Sequence, residues 1–474
     1  MSRFKGSPPV PRGEGSQPAV GVLSPGPKPA LSSTGTIPAP RLSQVQTPPQ
    51  RIRAGLRQAD VDNPARKLGF YLAIAFIFCR FTLFGELVSA RLNFDPHVVR
   101  ILGIPTVVLA VLTGGLWPVL RSRLAFPWLG LVVWMFLSSP LSYWPGGSTS
   151  LVFNYVKVQL PMILIVGGLA LTWGECKLVL MTIALACTVN VLSGKFFTLN
   201  PDTESRLSLE LGTIGNANDF TAHLLYVLPM VLFVLLISNR NWLLRVLCLG
   251  VLGYGVYYCA ATGSRGGLVA FAAASLFILI RAPGRMRIGA LTAGAAMFLL
   301  VLALLPQSLL QRYSTLFTND TDDLEAVQST ATRTRLLKES IQFTIQHPAF
   351  GVGPGEFSDY EAANAKSEGR RGAWAVTHNA YTQVSSEAGI PALLFFLAAI
   401  VMTFRTFGRV YRTARSRPEL RSMAMACLCC QLSMVGFCTA TAFLSLAYTM
   451  YLPTMSGLAM AFSWSLEREL AGQS

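Results

Sequence analysis

Repeated apolar runs of about 20 residues constrain the fold of this chain more than any other feature of its sequence. A helix needs about 20 residues to cross the roughly 30 Å hydrocarbon core of a bilayer, and lipid offers no water to unpaired backbone groups. Of the 474 residues, 52% are hydrophobic and 13% are charged, whereas soluble globular proteins carry about 25% charged residues. The sequence therefore predicts an all-α polytopic membrane protein.

The apolar runs predict about twelve transmembrane helices and one large loop. The expected helix starts lie near Leu68, Val98, Leu124, Leu151, Leu178, Phe220, Leu243, Gly266, Ile288, Gly389, Ser422 and Phe443. We expect a disordered cytoplasmic tail over 1–66, helices one to nine over 67–306, a large periplasmic loop over 307–388, and the last three helices with a short cytoplasmic C-terminus over 389–474. The tail is rich in Pro, Gly and Ser, so it cannot bury enough apolar surface to order itself.

The basic residues follow a membrane topology and do not indicate a nucleic-acid partner. Lys and Arg number 39 against 23 Asp and Glu, a net charge of +16. The excess gathers in alternate short loops and before the first apolar run. The basic residues before that run are expected to hold this end in the cytoplasm and to touch anionic lipid: Arg51, Arg53, Arg57, Arg66 and Lys67. Basic loops stay in the cytoplasm, so both termini are predicted to be cytoplasmic. The segment 195–218, the turn AATGSR and the long polar loop are then predicted to share the outer side.

Neither a disulfide nor a metal site is indicated, and no cofactor is expected. Among the nine cysteines, Cys176 lies in a short loop and the others fall in apolar runs, so the polar loop holds no thiolate pair. The carboxylates of that loop lack the pairing with histidine that a metal site would need. The predicted spans hold almost no acidic residue beyond Glu86, which argues against a proton-coupled transporter.

The polar stretch over residues 306–390 carries most of the functional information. It predicts a helix that starts near Thr330 or Thr332, whose hydroxyls suit an N-cap, and that ends before Pro348. A G-x-G-x-G pattern at 351–355 follows. We interpret this pattern as a tight turn that returns the chain to the membrane, with anion binding by its backbone amides as the lesser alternative.

The apolar face of the predicted loop helix consists of Leu337, Ile341 and Ile345, which recur every four residues. Arg333 precedes Leu337 by about one helical turn, so it should project from the same face. We expect that face to rest on the membrane domain, which would direct the guanidinium toward the protein.

His378 and Arg265 are the leading functional candidates. His378 is one of four histidines and stands where the polar loop ends, and its imidazole can accept a proton near neutral pH. Arg265 lies in TGSRGG, where a helix meets the outer interface, and its guanidinium fits a diphosphate through paired hydrogen bonds. The alternatives are a histidine that only hydrogen-bonds at the interface and an arginine that snorkels to it.

Three further basic residues have weaker signals. Arg206 precedes GNANDF and is either a phosphate contact or a loop charge. Lys157 and Arg80 fall within predicted spans, where a charge indicates a cavity or an internal partner. The remaining histidines are expected to be structural: His97, His223 and His347.

Four strings together resemble the O-antigen ligase and polymerase family of bacterial inner-membrane glycosyltransferases. They are the arginine-started helix leading into HPAFGVGPGEF, the closing HNAYTQVSSEAGI, the upstream TGSRGG, and GNANDF at the start of a span. The resemblance covers roughly residues 195–400. It implies metal-independent transfer of a glycan from undecaprenyl diphosphate to an acceptor hydroxyl on the periplasmic face of the inner membrane.

The resemblance also implies roles for individual residues. His378 would be the base that activates the acceptor, and Arg265 and Arg333 would hold the diphosphate, with Arg206 as a third contact. The acceptor would be lipid A–core for a ligase, or the growing glycan for a polymerase of O-antigen, capsule or exopolysaccharide. Transfer to protein is a further alternative. A flippase or transporter of lipid-linked sugars is the alternative from another class, although it would not need a long outer loop carrying a histidine.

Overall fold

The computed structural model describes residues 61–193, 214–238, 240–314 and 324–471. Arg206 and most of the predicted tail lie outside the described residues. Every regular element in these ranges is helical, which confirms the all-α prediction for this part of the chain. The α-helices are α1 Pro64–Phe81, α2 Phe84–Leu92, α3 Ile104–Leu112, α4 Leu116–Arg121, α5 Ala125–Ser138, α6 Pro145–Asn154, α7 Met162–Leu169, α8 Trp173–Ser193, α9 Ala217–Ile237, α10 Trp242–Ala261, α11 Arg265–Arg281, α12 Gly284–Leu304, α13 Gln307–Ser314, α14 Leu324–Gln346, α15 Phe357–Ser367, α16 Ala380–Ala414, α17 Arg421–Ala440 and α18 Tyr451–Ala471.

Six helical segments of the described residues are long and apolar enough to cross a membrane. They are Pro145–Leu169, Trp173–Leu192, Ala217–Ile237, Trp242–Ala261, Ala380–Ala414 and Pro418–Phe443. Two other apolar segments, Val99–Leu112 and Ala125–Leu141, are shorter than a full span. Helices begin near most of the predicted starts, but the total of about twelve spans stays a prediction.

Helices α9 and α17 form the centre of the bundle. In the most apolar stretch of each of these two segments, 78% is buried inside the protein, whereas in α10 only 28% is buried. The Ser433 hydroxyl of α17 donates to the Tyr226 carbonyl of α9 at 2.5 Å, and the Phe437 ring lies edge-on to that tyrosine at 5.6 Å. A helix that is apolar on all sides needs neighbours on all sides, so these two helices occupy the interior.

Two arginines that the sequence placed at or inside the membrane have internal partners. Arg80 is 7% exposed and donates to Glu86 at 3.5 Å and to Gln159 at 3.4 Å, which confirms the prediction of an internal partner. Arg66 is 2% exposed and forms an ion pair with Glu175 at 2.7 Å. The prediction that Arg66 lies in a disordered tail and touches lipid is therefore wrong, because α1 begins before it and buries its guanidinium against α8.

Helix α16 consists of two helices that meet at Gly389. This glycine has φ +84° and ψ 174°, a conformation that only glycine adopts readily, and the next residue but one, Pro391, has no amide hydrogen to donate. The rings of Tyr381 and Phe396 lie 6.2 Å apart, whereas a straight helix would separate them by about 22 Å. Residues 380–388 (α16a) therefore fold back along residues 390–414 (α16b).

Candidate functional site

Helix α14 directs Arg333 inward, but through a different face from the one predicted. Leu336, Ser340 and Phe343 are buried, while Ile341 is 46% and Ile345 is 72% exposed. The apolar face proposed from the four-residue spacing is therefore wrong. Arg333 precedes the observed buried positions at helical spacing, so it still lies on the inward side.

The boundaries of α14 match the prediction at one end. The helix ends at Gln346, before Pro348 as expected, but it begins at Leu324 and continues through Thr330 and Thr332. The two threonines therefore do not cap it. Its buried face packs with Val352 and Phe357 into a small apolar core that belongs to the polar loop itself.

The TGSRGG string forms the N-terminus of α11, with Arg265 as the first helical residue. The Ser264 hydroxyl caps the helix by accepting the Gly267 amide at 3.1 Å. The two glycines permit close packing, since a Cβ on Gly267 would lie 2.4 Å from Thr221 and one on Gly266 would lie 2.9 Å from Phe443. The sequence places glycine here because neighbouring elements approach the backbone directly.

The GNANDF string forms the N-terminus of α9, beside that of α11. Asn216 caps α9 by accepting the amides of Asn218 at 2.9 Å and Asp219 at 3.1 Å. The Thr221 hydroxyl lies 2.6 Å from the Thr262 hydroxyl, which joins the two helix starts. Two helix N-termini, each carrying partial positive charge, therefore lie next to each other.

These elements enclose a small pocket. Its lining combines both helix starts, α14 and the end of α17: Asn218, Ser264, Gly266, Gly267, Arg333, Ala440, Phe443 and Leu444. The outer segments that the sequence predicted to share one side thus meet at one end of the bundle. A guanidinium with helix N-termini beside it is suited to bind an anion such as a phosphate group.

His378 adjoins this pocket. Its backbone amide donates to the Ser445 hydroxyl at 2.8 Å, and Ser445 directly follows Leu444 of the pocket lining. The Thr377 hydroxyl lies 2.9 Å from the same serine. Asn379 then caps α16a by accepting two amides. His378 is thereby held at a left-handed φ of +51°, between the segment that leads to α18 and the start of α16a.

Burial and the nearby positive charge of Arg333 lower the pKa of His378 to about 4. Burial is the larger cause, because water no longer solvates the imidazolium. Arg333 also interacts electrostatically with Asp219, whose carboxylate accepts the Asn216 side-chain amide at 2.9 Å. The guanidinium therefore interacts both with an acid and with a neutral histidine, the form that can accept a proton.

The O-antigen ligase family model matches residues 250–397. Residues 250–397 therefore contain a domain that matches the O-antigen ligase family. The matched segment contains α11, Arg333 and His378, and it ends within α16b. The match to this family implies, in general terms, a bacterial membrane enzyme of glycosyltransferase type with lipid-linked glycan substrates. A comparison with curated proteins gave no match.

Of the site residues predicted from the sequence, Arg333 lines the pocket and His378 lies beside it, held by Ser445. Arg265 is half-buried and lies between Ser264 and Gly266, which line that pocket. Arg206 lies outside the described residues. Within those residues, no group of three or more His, Cys, Asp or Glu side chains could hold a metal.

The other histidines have separate surroundings. His223 is fully buried and lies 2.7 Å from Asn190 and 2.9 Å from the Tyr451 hydroxyl. His347 lies 3.0 Å from the Tyr360 hydroxyl, and His97 pairs with Asp95 at 2.7 Å.

Sequence reasoning missed two polar residues beside the pocket and one buried acid in α16a. Asp219 stands next to the pocket-lining Asn218, and its carboxylate within GNANDF was the available signal. Ser445 had no signal, because it falls in a stretch predicted to be a span. Glu387 is 4% exposed, and its place just before the Gly389 and Pro391 break could have marked it as a buried acid.

Proposed function

We propose that this protein transfers a glycan from undecaprenyl diphosphate to a hydroxyl of lipid A–core, or of a similar acceptor, without a metal. The reaction would occur on the periplasmic face of the bacterial inner membrane, with both termini in the cytoplasm. The observation that carries the proposal is the pocket in which Arg333 and two helix N-termini adjoin the segment that holds His378. The family match to residues 250–397 supports the same reaction class.

Arg333 and Arg265 would bind the donor diphosphate. Arg333 lines the pocket, and Arg265 begins the helix whose N-terminus faces it. A guanidinium can give a phosphate two parallel hydrogen bonds, and the helix starts add partial positive charge. These groups stabilise the charge that builds on the diphosphate as it leaves, so they can replace a metal ion in that role. Arg206 would be a third contact.

His378 would act as the general base. The acceptor oxygen attacks the anomeric carbon, the bond from that carbon to the diphosphate oxygen breaks with its electron pair, and the hydroxyl proton passes to His378. With a pKa of about 4 the imidazole is neutral at pH 7 and ready to accept that proton. Bound diphosphate would offset the charge of Arg333, which raises the basicity of His378 when the donor is present.

A polymerase would use the same groups. In that reaction the acceptor hydroxyl belongs to a growing glycan on a second lipid carrier, and the bonds that form and break at the anomeric carbon are the same. A flippase or transporter, by contrast, would need no base beside the diphosphate site. The position of His378 next to the pocket therefore favours a transferase.

The test is transfer by purified His378→Ala protein in liposomes that contain the lipid-linked donor. We expect at least a 100-fold loss of transfer, since a positioned base contributes about 10²–10⁴-fold, with unchanged membrane insertion. His97→Ala is the matched control, because His97 is exposed and pairs with Asp95. Normal transfer by the His378→Ala protein would refute the assignment of the base.

A further inference from the structure

We infer that Glu387 is a positioning residue, whose buried carboxyl locks a glycine-rich strap into the break of α16 and so sets His378 relative to Arg333. The strap is residues 348–356. This inference rests on the proposed function, in which His378 and Arg333 act on one donor.

The strap takes over hydrogen bonds that the helix break leaves open. Pro391 cannot donate to the Glu387 carbonyl as a helix would require, and the Gly353 amide donates to that carbonyl instead, at 2.8 Å. One residue earlier, the Val352 amide donates to the Ser386 carbonyl at 2.8 Å. In return, the amide of residue 390 donates to the Pro348 carbonyl at 2.8 Å. The two sides of the break are thus joined through the strap.

The fit between the strap and α16a leaves no room for side chains on the glycines. A Cβ on Gly351, which has φ +67°, would lie 2.3 Å from the Glu387 carbonyl carbon. A Cβ on Gly389 would lie 2.1 Å from the Ala349 carbonyl oxygen. The backbone of the strap therefore packs directly on the backbone of the helix, which fixes the position of the strap against the helix.

The Glu387 side chain holds the far end of the strap. Its carboxylate oxygen accepts the Gly355 amide at 3.0 Å, and the side chain is 4% exposed. The carboxyl also interacts with the side chains of Tyr448 and Gln383. Gln383 in turn accepts the Ala447 amide at 3.3 Å, in the same segment whose Ser445 holds the His378 backbone. Glu387 therefore bridges the strap and the segment at residues 444–450.

The elements that the strap joins carry the two proposed functional side chains. Helix α14 bears Arg333 and ends at Gln346, directly before the strap. Helix α16a follows His378 and contains Glu387. A misplacement of about 1 Å between reacting groups costs about 100-fold in rate, so a contact that fixes these two helices to each other sets the rate without touching the substrate.

The experiment compares Glu387→Leu, Glu387→Gln and Glu387→Asp in the full-length protein in liposomes. Glutamine keeps an oxygen that can accept the Gly355 amide, whereas leucine has no acceptor and aspartate is one methylene too short. We expect the leucine and aspartate variants to lower kcat by about 10- to 100-fold, with the donor KM within about twofold of the wild-type value. We expect the kcat of the glutamine variant to stay within about threefold of wild type. The aspartate variant keeps the test decisive if the leucine variant does not fold. Glu368→Leu is the matched control, since Glu368 is an exposed acid of the same loop.

A second readout does not depend on transfer. Diethyl pyrocarbonate acylates neutral imidazole, and mass spectrometry gives the modification rate at each histidine as a function of pH. We expect the pH midpoint of His378 modification to be higher than in wild type for the Glu387→Leu and Glu387→Asp proteins. For the Glu387→Gln protein we expect this pH midpoint to match wild type. If wild type shows no transfer but the His378 midpoint moves in this pattern, the proposed function fails and the positioning role stands. An unchanged His378 midpoint in all three variants, or a glutamine variant as slow as the leucine variant, would overturn the inference.

Discussion

The low pKa of His378 makes the pH profile of transfer a direct test of the site. Burial first and Arg333 second lower this pKa from 6.5 to about 4. The dependence of kcat/KM on pH reports the pKa values of the free enzyme. Wild-type kcat/KM should therefore stay flat from pH 8 to about pH 5 and fall by about tenfold per pH unit only below about pH 4.

Replacing Arg333 tests how much of this shift its charge causes. Arg333 is the smaller of the two causes, so Arg333→Leu should raise the midpoint by less than half of the distance between about 4 and 6.5. Arg333→Lys is the matched control, because it keeps a positive charge and should leave the midpoint near that of wild type. Both variants should also lower kcat/KM at every pH, because they bind the donor more weakly. The pH midpoint of the profile does not depend on the size of kcat/KM.

The assay measures kcat/KM between about pH 3 and pH 8 in liposomes, together with the pH midpoint of His378 acylation by diethyl pyrocarbonate. The lowered pKa of His378 also makes the folded protein less stable at low pH. The unfolded chain binds the His378 proton more tightly than the folded chain, so this contribution to stability is full above about pH 6.5 and is lost as the pH falls toward 4. A wild-type midpoint near 6.5, or no rise in Arg333→Leu, would refute the electrostatic account of the site.

Three further predictions test separate parts of the structure. Arg265→Gln should raise the donor KM by about tenfold or more, with partial rescue by Arg265→Lys, and an unchanged KM in steady-state kinetics would remove Arg265 from the diphosphate site. EDTA should leave the transfer rate unchanged, whereas inhibition that added divalent ions reverse would contradict the metal-free mechanism. Gly389→Ala should lower both the thermal unfolding temperature and the transfer rate. An alanine there would have φ +84° and a Cβ 2.1 Å from a carbonyl oxygen, which destabilises the folded protein by about 1–3 kcal/mol or more. Gly284→Ala is its control, since nothing lies within 4 Å of a Cβ there, and equal melting curves for both variants would contradict the strap packing.

The sequence predicts the fold class well because hydrophobic length is a local property. The all-α architecture and the end of α14 before Pro348 follow from residues near each site in the chain. The inward direction of Arg333 was also predicted, but from an apolar face whose residues Ile341 and Ile345 are exposed in the structure. Spacing of three and of four residues both fit a helix, and only tertiary contacts decide that Leu336 is buried in place of Ile341.

Long-range contacts account for what the sequence could not predict. The burial of Arg66 depends on Glu175, an acid that lies 109 residues further along the chain. The fold-back of α16a depends on a strap that fills the break at Gly389. The place of Ser445 beside His378 depends on a non-helical segment at residues 444–450, which composition alone marks as the start of a span. In each case the deciding partner lies far away in sequence.

The most direct test of the central claim incubates purified protein with a glycan on undecaprenyl diphosphate, with and without lipid A–core, and separates the products on a gel. Transfer of glycan to lipid A–core only when that acceptor is present is the predicted result. A ladder from the donor alone would assign the same pocket to chain extension. The absence of any new glycan-bearing product under both conditions, while lipid-linked glycan moves across the liposome membrane, would contradict the account and identify a transporter.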